Sequence, residues 1–318
     1  MGALQTILLA TDGSPSAADA AKVAASLAQQ AGGQIHLVSV WQFNPPYAEL
    51  QVAAESGTLL YDTYEQAGRE VLARVAEGLQ AEGTPIAGQY LRQGRSVNEV
   101  CDVAAEIGAD LIVMGSRGLS PVRRLVLGSV AQGVTHDAPC PVLVVRGGPS
   151  AWPPARIVLG DDGSATAREA EALAALLAKI YGAKGVIVRT YRPLPDRFQM
   201  RDIILSNVMP DNRETQAQEA RQLRDEAIGR AEQELTARAV ALAAEFGERP
   251  EVVVATGDPA DALLTAAEAD GGSALIAVGS RGLGTLQRLR LGSVSTTVLH
   301  GAAGSVLIVP AHAAEEAS

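Results

Sequence analysis

The chain repeats itself, and a sequence written twice must fold as two copies of one unit. ILLATDGSPSAADAA, from Ile7, returns 150 residues later at Ile157 as IVLGDDGSATAREAE. LIVMGSRGLSPVRRLVLGSVAQGVTH, from Leu111, returns 164 residues later at Leu275 as LIAVGSRGLGTLQRLRLGSVSTTVLH, so the second copy carries 14 extra residues in its middle. A period of this length is that of a whole domain, not of a solenoid unit. The junction GGPSAWPPA, Gly147 to Ala155, is rich in glycine and proline and reads as a linker. The expected units are therefore residues 1–148 and 156–318, joined by 149–155.

Charge follows the same division. The 26 basic and 36 acidic residues give a net charge of −10, split evenly as −5 in residues 1–150 and −5 in the remainder. An acidic chain argues against nucleic acid or an anionic membrane as partner. Cys101 and Cys140 have no C-x-x-C spacing, which speaks against a zinc site or a disulfide framework. With no apolar stretch near 18 residues and no leader-like N-terminus, a cytoplasmic protein is expected.

Within each copy, short β-branched runs alternate with longer alanine-rich segments of helical period, the pattern of a parallel sheet covered on both faces. TILLAT, IHLVSV, IAGQYL, DLIVMG and PVLVV are the strands of the first copy, and RIVLG, GVIVRT, EVVVAT, ALIAVG and SVLIV those of the second. Helices are expected over Ser16 to Gln30, around Tyr64 to Leu79, and over Val97 to Glu106, Ser129 to Thr135 and Arg213 to Glu245. The fold class is α/β: two repeated, doubly wound, Rossmann-like domains, each a five-stranded parallel sheet. If the strand order is 3-2-1-4-5, the connections after strands 1 and 4 diverge and open a crevice at their carboxyl ends. The bordering loops are the best-matched segments between the copies.

The loop after strand 4 reads Gly115-x2-Gly118-x9-Gly128-Ser129, and in the second copy Gly279-x2-Gly282-x9-Gly292-Ser293. Glycines permit positive φ and close approach of backbone N–H groups to an anion, and Gly128 and Gly292 precede helices whose first N–H groups favour phosphate. Each loop holds three arginines and no acid: Arg117, Arg123 and Arg124, and Arg281, Arg288 and Arg290. The plainer reading is a flexible turn with Ser129 as helix cap. Asp12 and Asp162, across the crevice, are either turn formers or contacts to the hydroxyls or amine of a nucleoside.

Together the G-x2-G-x9-G-S loop, the early Asp-Gly-Ser, the Gly-Arg-Ser at Gly94 and the closing APCPVLVV resemble the ATP-binding class of universal stress proteins, over nearly the whole chain and twice. The resemblance implies adenine and ribose near strand 1 and the end of strand 2, and the triphosphate, with or without Mg, on the glycine loop. It places the first site at Ala10, Thr11, Asp12, Val40, Met114, Gly115, Arg117, Gly118, Gly128, Ser129 and Val130. The second falls at Gly160, Asp161, Asp162, Thr190, Val278, Gly279, Arg281, Gly282, Gly292, Ser293 and Val294. Thr11 becomes Asp161, a negative charge beside the nucleoside, and Val40 becomes Thr190. In this family the last strand pairs between domains, which implies an internal pseudo-dimer here, with homodimerisation a further option.

No catalytic set stands out. A G-x-x-x-x-G-K-[ST] loop is absent, and the three lysines are Lys22, Lys179 and Lys184. His136 and His300 are equivalent and fall late in the last helix of each copy, where a cation suits the helix dipole. The expectation is an ATP-binding stress-response regulator. The alternatives are an enzyme that hydrolyses ATP or releases pyrophosphate, and a module that binds no nucleotide.

Overall fold

The structure is a computed structural model that describes residues 4–43, 49, 60–118, 127–148, 151–191, 213–271, 273–280 and 291–311. Most of the insertions after the second strand of each copy, Arg123, Arg124, Arg281, Gly282, Arg288 and Arg290 lie outside them. The first half runs β1 (Thr6–Ala10), α1 (Pro15–Ala31), β2 (Gln34–Trp41), α2 (Leu60–Ala81), β3 (Ile86–Gln93), α3 (Ser96–Glu106), β4 (Leu111–Gly115), α4 (Ser129–Asp137) and β5 (Val142–Val145). The second runs β6 (Arg156–Gly160), α5 (Ala165–Tyr181), β7 (Lys184–Tyr191), α6 (Arg213–Ala241), α7 (Ala243–Phe246), β8 (Glu251–Thr256), α8 (Pro259–Glu268), β9 (Ala274–Gly279), α9 (Ser293–Gly301) and β10 (Ser305–Val309).

Local chemistry fixes the helix ends. Ser14 and Ser164 cap α1 and α5 by accepting from the N–H groups of Ala17 and Ala167, each at 3.2 Å, and Gly32 and Gly182 close the same helices in the left-handed region. The long helix expected to run on to Glu245 instead stops at Ala241. Leu242 intervenes, and the one-turn α7 ends at Gly247, with φ of 86°. That break seats Phe246 in the core at 1% exposure, against the Cα of Gly185.

The strands form one ten-stranded sheet in the order β3-β2-β1-β4-β5-β10-β9-β6-β7-β8. Each half is the parallel 3-2-1-4-5 arrangement. β5 and β10 join antiparallel with Leu143 opposite Leu307, so the apolar edges VLVV and SVLIV cover each other. All five β10 residues are buried although the segment before it departs from the first copy. Alternation along β1 sends Ile7 and Leu9 into a core under α1 and α2, and Leu8 into a second core under α3 and α4. Both cores continue across the seam, where the Ser26 and Tyr181 hydroxyls meet at 2.9 Å.

Candidate functional site

The carboxyl ends of β1, β2 and β4 bring Ala10, Val40 and Met114 to one place. Ala10 lies opposite Val38 on β2 and Met114 on β4, and Ala10 and Val40 pack against the core beneath α3 and α4. These side chains form an apolar floor at the strand ends, and β4 leads on through Ser116, whose carbonyl accepts from Gly128, to the start of α4. That start has no side-chain cap: Gly128 occupies the capping position, and Ser129 is the first helical residue rather than the cap. Gly128 donates to the Ser116 carbonyl at 2.8 Å, and Gly292 to that of Ser280 at 2.6 Å, so both copies turn into the helix in the same way. Ser129 and Val130 supply the first N–H groups beyond it.

The loop glycines are needed for close approach, not for positive φ. Among the described residues, Gly115, Gly118, Gly128 and Gly279 all avoid the left-handed region. A Cβ on Gly115 would lie 2.6 Å from the carbonyl carbon of Ser16, and one on Gly118 2.6 Å from Asp12 Oδ2. A Cβ on Gly128 would sit 3.2 Å from the Ser116 oxygen, and Gly279 rests against Thr166 of α5. The positive φ values fall instead in the facing turns, at Gly13 (76°) and Gly163 (78°).

In those turns Thr11 Oγ1 accepts from Gly13 N–H at 3.3 Å and Asp12 Oδ1 from Ser14 N–H at 3.0 Å. Asp12 thus serves the turn with one oxygen and faces the glycine loop with the other. The Ser14 hydroxyl donates to the Arg117 carbonyl at 3.4 Å and ties the two loops together. Asp162 repeats the turn through Ser164 N–H at 2.9 Å.

Gly160, Thr190 and Val278 occupy the floor positions of the second half. The missing Cβ of Gly160 lets Val278 and Leu263 close in, at 3.0 and 3.3 Å from where it would stand. Val294 packs on the core beside them, after an uncapped Gly292 and Ser293. Ser280 Oγ, at the root of this loop, is buried without a hydrogen-bond partner among the described residues.

Asp161 does not add its charge to that floor. Its carboxylate turns to the opposite face, where Arg189 reaches Oδ2 at 2.7 Å and Arg238 of α6 reaches it at 3.0 Å. Arg238 also meets Glu171 of α5 at 2.8 Å. Burial raises the Glu171 pKa, with Arg238 opposing it. The network escaped the sequence reading, although Glu171 standing on the alanine stripe of α5, where the first copy has Ala21, was a signal. His136 and His300 lie in the last turns of α4 and α9 as expected, with His136 Nδ1 3.1 Å from Asp137. Among the described residues, no cluster of three or more His, Cys, Asp or Glu could hold a metal ion, and no helix is long and apolar enough to cross a membrane.

Comparison with known proteins agrees with the fold. A universal stress protein from Thermus aquaticus is 40% identical over 146 residues, which is 45% of this chain and 98% of that one. One from Methanocaldococcus jannaschii is 35% identical over 140 residues, 44% of this chain and 81% of its own length. A crystal structure of a universal stress protein from Archaeoglobus fulgidus superposes with a TM-score of 0.60 over 96% of this chain and 97% of that one, at 22% identity, a likeness of fold. The sequence pattern of the universal stress protein family matches residues 3–146 and again 154–310, and the chain belongs to that family, whose domain it carries in tandem.

Proposed function

We propose that each half binds one adenine nucleotide, ATP with its Mg, and that the chain acts as a nucleotide-responsive stress regulator rather than as a catalyst. The observation that carries this reading is a helix start left free of any side-chain cap in both halves, beside an apolar floor in the first and a floor of Gly160, Thr190 and Val278 in the second. A purine ring suits the floor, and unpaired N–H groups at the positive end of a helix suit phosphate. Ala10, Val40 and Met114 would take the base, with Asp12 beside the ribose and Thr11, like Asp161, contributing through its backbone. Gly115, Arg117, Gly118, Gly128, Ser129 and Val130 would take the phosphates. The second site would use Gly160, Asp162, Thr190 and Val278, then Gly279, Arg281, Gly282, Gly292, Ser293 and Val294, with Asp161 contributing through its backbone. The Ser280 hydroxyl, buried without a partner among the described residues, fits a site that takes a polar guest. Mg would arrive on the triphosphate.

Differential affinity for two arrangements of the halves would convert occupancy into a signal. Because β5 and β10 are spent on each other, a homodimer would use some other surface. The domain limits, near 148 and 156, and a cytoplasmic location belong to the same proposal. Native mass spectrometry of protein purified without added nucleotide tests it. Retained ATP, unchanged on incubation, supports the regulator; steady release of ADP, or of AMP with pyrophosphate, supports an enzyme; and a chain that takes up no adenine nucleotide overturns both.

A further inference from the structure

The seam between the halves passes directly behind the first glycine loop. β4 and β5 are neighbours, Ser116 N–H donates to the Val145 carbonyl at 3.2 Å, and the next residue is Arg146. Arg146 crosses into the second half. Its backbone N–H donates to Ser305 Oγ at 3.1 Å, and its Nη1 donates to the carbonyls of Ala302 at 2.7 Å and His300 at 3.5 Å, at the carboxyl end of α9. Its Nε is buried and lacks an acceptor among the described residues. The mirror position, past β10 where Ser280 N–H donates to the Val309 carbonyl at 2.7 Å, is Pro310, which has no side-chain donor. At this position the seam therefore presents a guanidinium beside one loop and a proline beside the other.

We propose that Arg146 is a positioning residue for polyphosphate held at the first glycine loop, linking occupancy of that loop to the seam. The proposal rests on the nucleotide reading above. The carbonyl end of α9 carries the negative end of the helix dipole, which would oppose a phosphate nearby; Arg146 neutralises it. Burial, and then the neighbouring Arg117 charge, hold the Arg146 pKa below its ordinary value. An anion between the two guanidiniums turns that repulsion into attraction and tightens the contact with α9. By linkage, a tighter seam strengthens phosphate binding by the same factor. Pro310 makes the coupling one-sided.

Calorimetry with ATP, ADP, AMP and adenosine tests this in full-length protein whose second loop is blocked by Gly292→Glu. Arg146→Gln should weaken ATP about five- to tenfold, ADP less, and adenosine not at all, and Arg146→Lys should recover most of the loss. Equal affinities in parent and variant, or an equal loss for adenosine, overturn the proposal. Should Arg146→Gln fail to fold, hydrogen exchange on the unmodified chain decides: ATP should slow the amides of Val306 to Ile308, and unchanged rates refute the coupling. If the unmodified chain binds no nucleotide, it is the underlying functional reading that fails.

Discussion

The buried ion network of the second half has a neutral counterpart within the same molecule. Asp161, Glu171 and Arg189 stand where the first copy has Thr11, Ala21 and Ser39, and Arg238 stands where it has Val75, judged by the matched buried pairs Leu235 and Ala239, Leu72 and Ala76. Removing one partner of a fully buried pair costs about 3–5 kcal/mol because a charge is stranded. Arg238→Val should cost less. Its side chain is 26% exposed, and Asp161 keeps Arg189 at 2.7 Å and the Gly163 N–H at 2.9 Å. We expect about 1–3 kcal/mol, which for a domain of this size lowers the melting temperature of the second half by about 2–12 °C. The full replacement Asp161→Thr, Glu171→Ala, Arg189→Ser, Arg238→Val should be within ~1 kcal/mol of the parent, or more stable, since no charge is left buried. The pH dependence has a definite sign. Glu171 already has a raised folded-state pKa from burial, and loss of Arg238 raises it further, so its penalty applies above that pKa and fades as the carboxylate takes up a proton. The Arg238→Val deficit should therefore shrink from pH 7 toward the ordinary carboxylate range. Differential scanning calorimetry of the three proteins across that range is the assay. A quadruple variant as unstable as the single one, or a deficit that grows in acid, would show that the cost does not come from a stranded charge.

Gly115→Ala forces a Cβ to 2.6 Å from the Ser16 backbone and should cost about 1–3 kcal/mol by overpacking, with nucleotide affinity falling as the first turn of α1 moves; chemical denaturation and calorimetry check both. Burial pushes the Cys140 thiol up to about 12, so at pH 8 iodoacetamide should label Cys101 well before Cys140, and equal rates by peptide mass spectrometry would contradict the described packing. Ser14→Ala removes the α1 cap and its link to the Arg117 carbonyl, and should cost about 1 kcal/mol in a urea melt.

The repeat made much of this architecture legible. Alternating β-branched runs gave the strands, and the family resemblance implied that the last strands pair between the domains, as β5 and β10 do. Where a role is set by immediate neighbours the sequence offered it: turn former was one of the two readings open for Asp12, whose Oδ1 takes the Ser14 N–H, while Ser14 as the cap of α1 was not read. Less legible was whatever depends on distant chain. The work of Gly115 is defined by Ser16, a hundred residues away, so the sequence offered both positive φ and close approach and could not show that only the second is used, against protein backbone. The resemblance put the charge of Asp161 beside a nucleoside, yet strand alternation turns its side chain to the other face, onto Arg189 and Arg238. Arg146, one residue beyond a strand, gains its role only once the halves are joined.

Titrating nucleotide-free protein with ATP and Mg, while following the backbone amides of Ser129, Val130, Ser293 and Val294 by NMR, tests whether each glycine loop holds phosphate. One nucleotide bound per half, with all four amides shifted at saturation, is the predicted result. Saturating ATP that moves none of them, with no heat of binding, would contradict the account.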